Sequence, residues 1–188
     1  MDGITKSFLA TQLDEAMAMA ASSDLVRLAV IGGPELLVAE FRCRGLVRSV
    51  AGNIEEADHF VVGFHFAADY LRRVRPPEVL TWIEPASIWH PNIGGPRSPT
   101  GICIGNITPA TPLVDLLYRV YELISWQSFT PVEYDALNID ACSWARANLH
   151  RFPIDGRPLR WRGSLADPAF MPDPALPGSL LDSMEIVG

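Results

Sequence analysis

The chain has 188 residues, of which 48% are hydrophobic, so it is long enough to bury the core of one domain. Its net charge of −7 argues against nucleic acid as the main partner. Its apolar runs fall well short of the roughly 20 residues that a membrane helix needs, and the N-terminus lacks the pattern of a signal peptide. We therefore expect a cytoplasmic protein that binds neither membrane nor nucleic acid.

The first predicted element is a helix. Residues 5–22 place apolar side chains three and four positions apart, which is typical of an amphipathic helix, and Ser22 marks its end. The side chains predicted to face the core are Phe8, Leu9, Leu13, Ala16, Met17 and Ala20.

Strand-like runs follow at short spacing. They cover residues 25–31, 35–50, 59–66 and 79–83, and turn-forming residues separate them. This pattern predicts a four-stranded antiparallel meander. Cys43 falls within the second run, where we expect a small, half-buried side chain.

Two more helices are predicted in the second half of the chain. Thr111 can cap a helix over 112–124, whose broad apolar stripe indicates a central helix laid across the sheet. Asn138 can cap a short helix over 139–149, with Cys142 facing the core.

The composition changes at Pro153. Prolines recur from there on without any sustained period. We therefore predict a domain over 1–152 and a Pro-rich C-terminal segment over 153–188. This segment is either an extended arm laid on the domain or a flexible tail.

Three cysteines, Cys43, Cys103 and Cys142, are an odd number without paired spacing. They argue against a disulfide framework and against a zinc cluster, and we expect neither a metal nor a cofactor.

Cys103 has the sequence context of a nucleophile. Turn-forming residues fill 94–100, and they can bring the side-chain amide of Asn92 back beside the Cys103 sulfur. A thiol that takes part in acyl transfer needs access and a donor for the oxyanion that forms.

The motifs His90-Pro91-Asn92 and Gly101-Ile102-Cys103 resemble the active-site region of ubiquitin-conjugating enzymes. That family carries a His-Pro-Asn motif, then a loop, then the segment with the acyl-carrying cysteine. The resemblance covers roughly residues 5–150. It implies an α+β, UBC-like fold with an N-terminal helix, a four-stranded antiparallel meander sheet, a central helix packed on the sheet and a short third helix.

The resemblance also implies a reaction. Cys103 would accept a ubiquitin-like protein from a cognate activating enzyme as a thioester and pass it to an amine of a target protein. Asn92 would stabilise the oxyanion, or else only hold the loop. Asp135 would orient or deprotonate the incoming amine, or else serve as a turn acid, and His90 and Pro91 would be structural.

Composition refines this expectation. Of the 15 basic residues 14 are arginine and only Lys6 is lysine. A GC-rich genome explains that bias, and an acyl carrier also gains from having few amines of its own. This composition and the reduced C-terminal half resemble the conjugating enzymes of bacterial anti-phage operons.

Two other functions stay open. One is a non-catalytic UBC-like module that binds a ubiquitin-like protein or another partner, although the presence of both Cys103 and Asn92 argues against it. The other is a Cys–His hydrolase that uses Cys103 and His90, for which the sequence offers no evident group to orient the histidine.

Overall fold

The computed structural model describes residues 1–96 and 98–159, which form a mixed α+β structure. In chain order its elements are α1 (Gly3–Ala21), β1 (Val26–Gly33), β2 (Leu36–Phe41), β3 (Gly45–Arg48), β4 (Ile54–Ala57), β5 (Phe60–His65), α2 (Pro76–Val79), β6 (Leu80–Glu84), α3 (Leu113–Ile124) and α4 (Ile139–Ala147). Two 3₁₀ turns lie at Glu133–Asp135 and Leu149–Arg151. None of the helices in the described part of the chain is long and apolar enough to cross a membrane.

The main sheet has four antiparallel strands in the order β1-β2-β5-β6, which confirms the predicted four-stranded antiparallel sheet. Its register places Val62 opposite both Ala39 and Trp82, and Phe64 opposite Leu37. All of these side chains are buried, so they form the inner face of the sheet.

The prediction of one strand over 35–50 is wrong. Strand β2 ends at Phe41, and the chain then turns away to pair β3 with β4 in a separate two-stranded sheet. Gly45 lies at this turn, where a Cβ atom would stand 2.7 Å from the carbonyl oxygen of Ile124. Only glycine lets β3 begin this close to the end of α3.

Helix α1 confirms the predicted N-terminal helix, but its buried stripe differs from the prediction. The Asp2 carboxylate accepts a hydrogen bond from the Thr5 N–H and caps the helix, which ends at Ala21. Met17 is exposed, whereas Met19 is buried. The sequence does not decide which of the two methionines faces the core, because small apolar residues flank both of them. The buried positions are Thr5, Leu9, Gln12, Ala16 and Met19.

Helix α3 supplies the centre of the core. Leu116, Leu117 and Val120 are fully buried in the same cluster as the inner face of the sheet. Burial of each such side chain stabilises the fold by about 1.5–3 kcal/mol. The expected cap at Thr111 is wrong, because its hydroxyl bonds Thr108, and the first N–H of α3, from Leu113, donates instead to Gln12 Oε1 at 3.1 Å.

A second, aromatic core lies beside the sheet. Trp126 stacks on Phe152 with ring centroids 4.5 Å apart, and Trp144 of α4 meets Trp126 edge-on. The predicted cap of α4 is confirmed, since Asn138 Oδ1 accepts from the Ala141 N–H at 3.1 Å. Cys142 is buried, as expected.

Residues 153–159 lie against the domain. The buried Asp155 carboxylate accepts from the backbone N–H of Arg44 and pairs with the Arg157 guanidinium. Burial raises the pKa of Asp155, but the bonds from Arg157 and Arg44 outweigh it and lower the pKa to about 2. The first residues of the predicted arm are therefore docked, whereas 160–188 lie outside the described residues.

Candidate active site

Two short segments that follow β6 in the chain, residues 92–94 and 101–103, pair with each other and place Cys103 beside Asn92. The N–H of Cys103 donates to the Asn92 carbonyl at 2.8 Å, and the N–H of Gly94 donates to the Gly101 carbonyl at 2.9 Å. Ile93 and Ile102 lie opposite each other between these bonds. This antiparallel pairing explains how residues eleven positions apart become neighbours.

The glycines of this turn-rich region fit the pairing. Gly94 has a φ of 62° and Gly95 a φ of 97°, values that side-chain-bearing residues rarely adopt. A Cβ atom on Gly95 would also stand 2.7 Å from the Leu137 carbonyl oxygen. Both glycines are therefore required by the backbone that returns the chain toward Cys103.

Cys103 is the exposed cysteine of the described residues, and Cys43 and Cys142 are buried. Burial raises the pKa of both buried thiols, so they stay protonated and inert near neutral pH. The Cys103 sulfur is therefore accessible to solvent, and the other two sulfurs are not.

The side-chain amide of Asn92 is buried and hydrogen-bonded through both its nitrogen and its oxygen. Its Nδ2 donates to the backbone carbonyl of Cys103 at 3.1 Å, and its Oδ1 accepts from the Thr130 N–H at 2.8 Å. The amide thereby bridges the cysteine segment to the loop that follows α3. Of the two roles weighed for Asn92, this geometry favours holding the loop.

His90 is a structural residue in this arrangement. It is fully buried, and its Nδ1 accepts from the Asn92 N–H at 3.0 Å. Its ring meets Trp126 edge-on at 4.5 Å. Burial lowers the pKa of His90 to about 3, so the ring is neutral at physiological pH.

Pro91 ties the motif to the chain before α4. Its carbonyl accepts from the N–H groups of both Leu137 and Asn138, at 2.8 and 3.1 Å. Asp135 lies two residues before Leu137, and its side chain is exposed and makes no hydrogen bond or ion pair with the described residues. The structure therefore fastens the loop that carries Asp135 to the His90-Pro91-Asn92 motif and leaves its carboxylate facing solvent.

Sequence reasoning missed the partners that fix this site. Thr130 acts through its backbone N–H, and Leu137 acts in the same way. A backbone donor carries no side-chain signature, so the sequence holds no signal for either. The sequence also gives no signal for the packing of His90 against Trp126, because 36 residues separate them.

The fold and the site define an α+β protein with one exposed cysteine fastened beside a buried asparagine. The chain matches no protein-family model, and it matches none of the curated proteins.

Proposed function

We propose that this protein is a ubiquitin-conjugating-type acyltransferase, which carries a ubiquitin-like protein on Cys103. It would accept the modifier from a cognate activating enzyme and transfer it to an amine of a target protein. The observation that supports this most strongly is the exposed Cys103 thiol, held opposite Asn92 by paired backbone segments. We also propose that the protein belongs to the UBC-like family, which its motifs His90-Pro91-Asn92 and Gly101-Ile102-Cys103 resemble. A bacterial origin is part of the same proposal.

The first step is transthiolation. The Cys103 thiolate attacks the carbonyl of the incoming thioester, a new C–S bond forms, and the thiolate of the activating enzyme leaves. A free thiol has a pKa of about 8.5, so a few per cent is thiolate near neutral pH. Because this exchange is nearly balanced, an exposed thiol without a general base suffices.

The second step is aminolysis. The target amine attacks the Cys103 thioester, the C–S bond breaks, and the thiolate leaves as an isopeptide bond forms. Asn92 contributes by fixing the backbone on which the thioester is held. The exposed Asp135 carboxylate is the candidate acceptor for the proton that the amine loses.

Burial of His90 argues against the hydrolase alternative. A hydrolase needs a histidine that hydrogen-bonds the thiol and takes its proton. Here the His90 Nδ1 is occupied by the Asn92 N–H, and the pKa of about 3 leaves the ring a poor base.

Reconstitution tests the proposal. The protein is mixed with its activating enzyme, ATP and the modifier, and the products are separated on a non-reducing gel. We expect a thiol-sensitive adduct that the Cys103→Ala variant lacks, while Cys142→Ala keeps it. A binding module gives no adduct, and a hydrolase cleaves a modifier fusion without ATP, so either result overturns the proposal.

A further inference from the structure

The main sheet has an outer face, which is turned away from the hydrophobic core. Helices α1 and α3 bury their apolar side chains in the cluster that contains the inner face of the sheet. Among the described residues, Val38, Val61 and Ile83 belong to neither of the two hydrophobic clusters. Strand pairing and the alternation of side chains place on the outer face Arg27, Ala29, Val38, Glu40, Val61 and Gly63.

The outer face is covered at one end only. At that end Val61 is 1% exposed and Glu40, which lies opposite it, is 0% exposed. The buried Glu40 carboxylate accepts a hydrogen bond from Arg42 Nε at 2.8 Å. At the other end Leu36 is 39% exposed, and on the edge strand β6 Ile83 is 46% exposed. An antiparallel sheet face without a covering layer is solvated, so the end that carries Glu40 and Val61 has a cover of its own.

The described part of the chain ends beside this covered end. Leu159 is buried, and its carbonyl accepts a hydrogen bond from the Ser23 hydroxyl, three residues before β1 begins. Arg157 Nη2 donates to the carbonyl of Arg42 at 3.4 Å, and Arg42 directly follows β2. Residues 157–159 therefore lie where β1 begins and β2 ends, which is the end of the sheet that carries Glu40.

The sequence beyond Leu159 has the length and composition of such a cover. It continues for 29 residues, and strands β1, β2 and β5 together span only about 10 Å, which about four extended residues can cross. Four of the 29 residues are prolines, which cannot donate to a strand ladder, so this sequence suits a sheet face better than the edge of β1. Its larger apolar residues include Trp161, Leu165, Phe170, Met171, Leu176, Leu180 and Leu181.

We propose that the outer face of the sheet is a docking surface for the chain's own segment 160–188, which lies across the end that carries Glu40 and Val61. Apolar side chains of the segment cover Val61 and Val38. Charge favours the same arrangement, because Arg27 and Arg42 set two cations beside one carboxylate and the segment has four acidic residues against two basic ones. This inference does not depend on the proposed function.

Hydroxyl-radical footprinting of the full chain tests whether the segment is the cover. One variant replaces Trp161, Leu165, Phe170, Leu176 and Leu180 by serine, and mass spectrometry measures the oxidation of each valine. We expect oxidation of Val61 to rise severalfold in this variant, while Val62 on the inner face stays protected and the exposed Val50 stays reactive in both proteins. The matched control replaces three serines of the same segment by alanine, at positions 164, 179 and 183, and should leave Val61 protected.

Photo-crosslinking identifies the occupant. Benzoylphenylalanine is incorporated in the full chain in place of Val38, on the outer face, or in place of Val50, between β3 and β4. From position 38 we expect a crosslink within the same chain to a peptide of 160–188, with a yield that does not change on dilution. From position 50 we expect no such crosslink.

Three results would overturn the docking proposal. One is unchanged oxidation of Val61 in the serine variant, and this measurement leaves Val38 in place, so it decides even if the photo-crosslinking variant fails to fold. Another is a crosslink from position 38 that joins two chains and grows with protein concentration, which would make a second copy the occupant. The third is an equal yield of crosslinks to 160–188 from position 50, which would show that the segment has no preferred face.

Discussion

The side-chain amide of Asn92 donates to the backbone carbonyl of Cys103 at 3.1 Å, while the Cys103 N–H donates to the Asn92 carbonyl at 2.8 Å. The two residues therefore hold each other through both the backbone and a side chain. Since Asn92 Oδ1 also accepts from Thr130, both the nitrogen and the oxygen of the amide are held by hydrogen bonds, and these bonds use one of its two N–H donors. The site is built around a positioned cysteine.

Replacing Asn92 by alanine should destabilise the protein. The buried side chain satisfies the Thr130 N–H and the Cys103 carbonyl, and leaving such groups unpaired costs about 1–3 kcal/mol. Urea unfolding measures the free energy of unfolding. The matched control is Asn106→Ala, an exposed asparagine of the same segment, which should change it by less than about 0.5 kcal/mol.

The kinetics of the same variant distinguish the two roles of Asn92. If it holds the loop, loading of Cys103 and discharge to an amine should slow together. A variant with wild-type stability and wild-type loading, but discharge slowed about 10²–10³-fold, would instead identify Asn92 as the oxyanion donor.

Thiol labelling should distinguish the three cysteines. In the native protein one thiol, Cys103, is exposed, and Cys43 and Cys142 are buried with raised pKa values. We expect iodoacetamide to modify one site rapidly under native conditions and three sites in denaturant, as counted by intact mass. Cys103→Ser should abolish the rapid phase. Rapid native labelling of Cys43 or Cys142 would show that the core is not closed as described.

Folding stability should depend on His90 below neutral pH. Burial lowers its pKa to about 3 in the folded state, against 6.5 for the ordinary side chain, so the unfolded chain binds the extra proton between these values. Above pH 6.5, protonation of His90 does not lower the free energy of unfolding. On acidification from pH 6.5 toward pH 3, the free energy of unfolding falls by about 1.4 kcal/mol per pH unit because of this group.

Urea unfolding at pH 6.5 and pH 4.5 measures this slope. His90→Gln should lose about 2 kcal/mol less stability than the wild type over that interval. His65→Gln, at an exposed histidine, is the matched control and should keep the wild-type slope. If His90→Gln and the wild type have the same slope, His90 is not held neutral by burial.

Asp135→Ala should slow amine discharge without affecting the fold. The carboxylate is exposed, so the free energy of unfolding should change by less than about 0.5 kcal/mol. Loss of a base that accepts the amine proton should slow discharge about 10²-fold, the low end of such effects. The rate is followed by disappearance of the Cys103 thioester after lysine is added. Asp140→Ala, another exposed acid, should discharge at the wild-type rate.

Local patterns were enough to predict α1, α3, α4 and the main sheet, but not the short helix α2. The cap at Asn138, the apolar stripe of α3 and the turn formers between strands each act within a few residues, so the sequence displays them. The pair β3 and β4 was missed because the close approach of Gly45 to Ile124, nearly 80 residues away, depends on packing that no local pattern displays.

The contrast between local patterns and contacts between distant residues applies to the site as well. Cys103 and Asn92 were predicted because glycines and prolines between them indicate a returning chain, and the backbone pairing brings them together. The cap of α3 by Gln12 and the support of Asn92 by Thr130 join segments that are distant in sequence. Such long-range partners are set by packing, which a single sequence does not reveal.

Intact-mass spectrometry of the loaded protein tests the central claim most directly. After incubation with activating enzyme, ATP and modifier, we predict a species heavier by one modifier less one water. Its bond should map to Cys103, and mild hydroxylamine should release it. An adduct that resists hydroxylamine, or that maps to Cys43, Cys142 or Lys6 in the wild type, would contradict a thioester carrier built on Cys103.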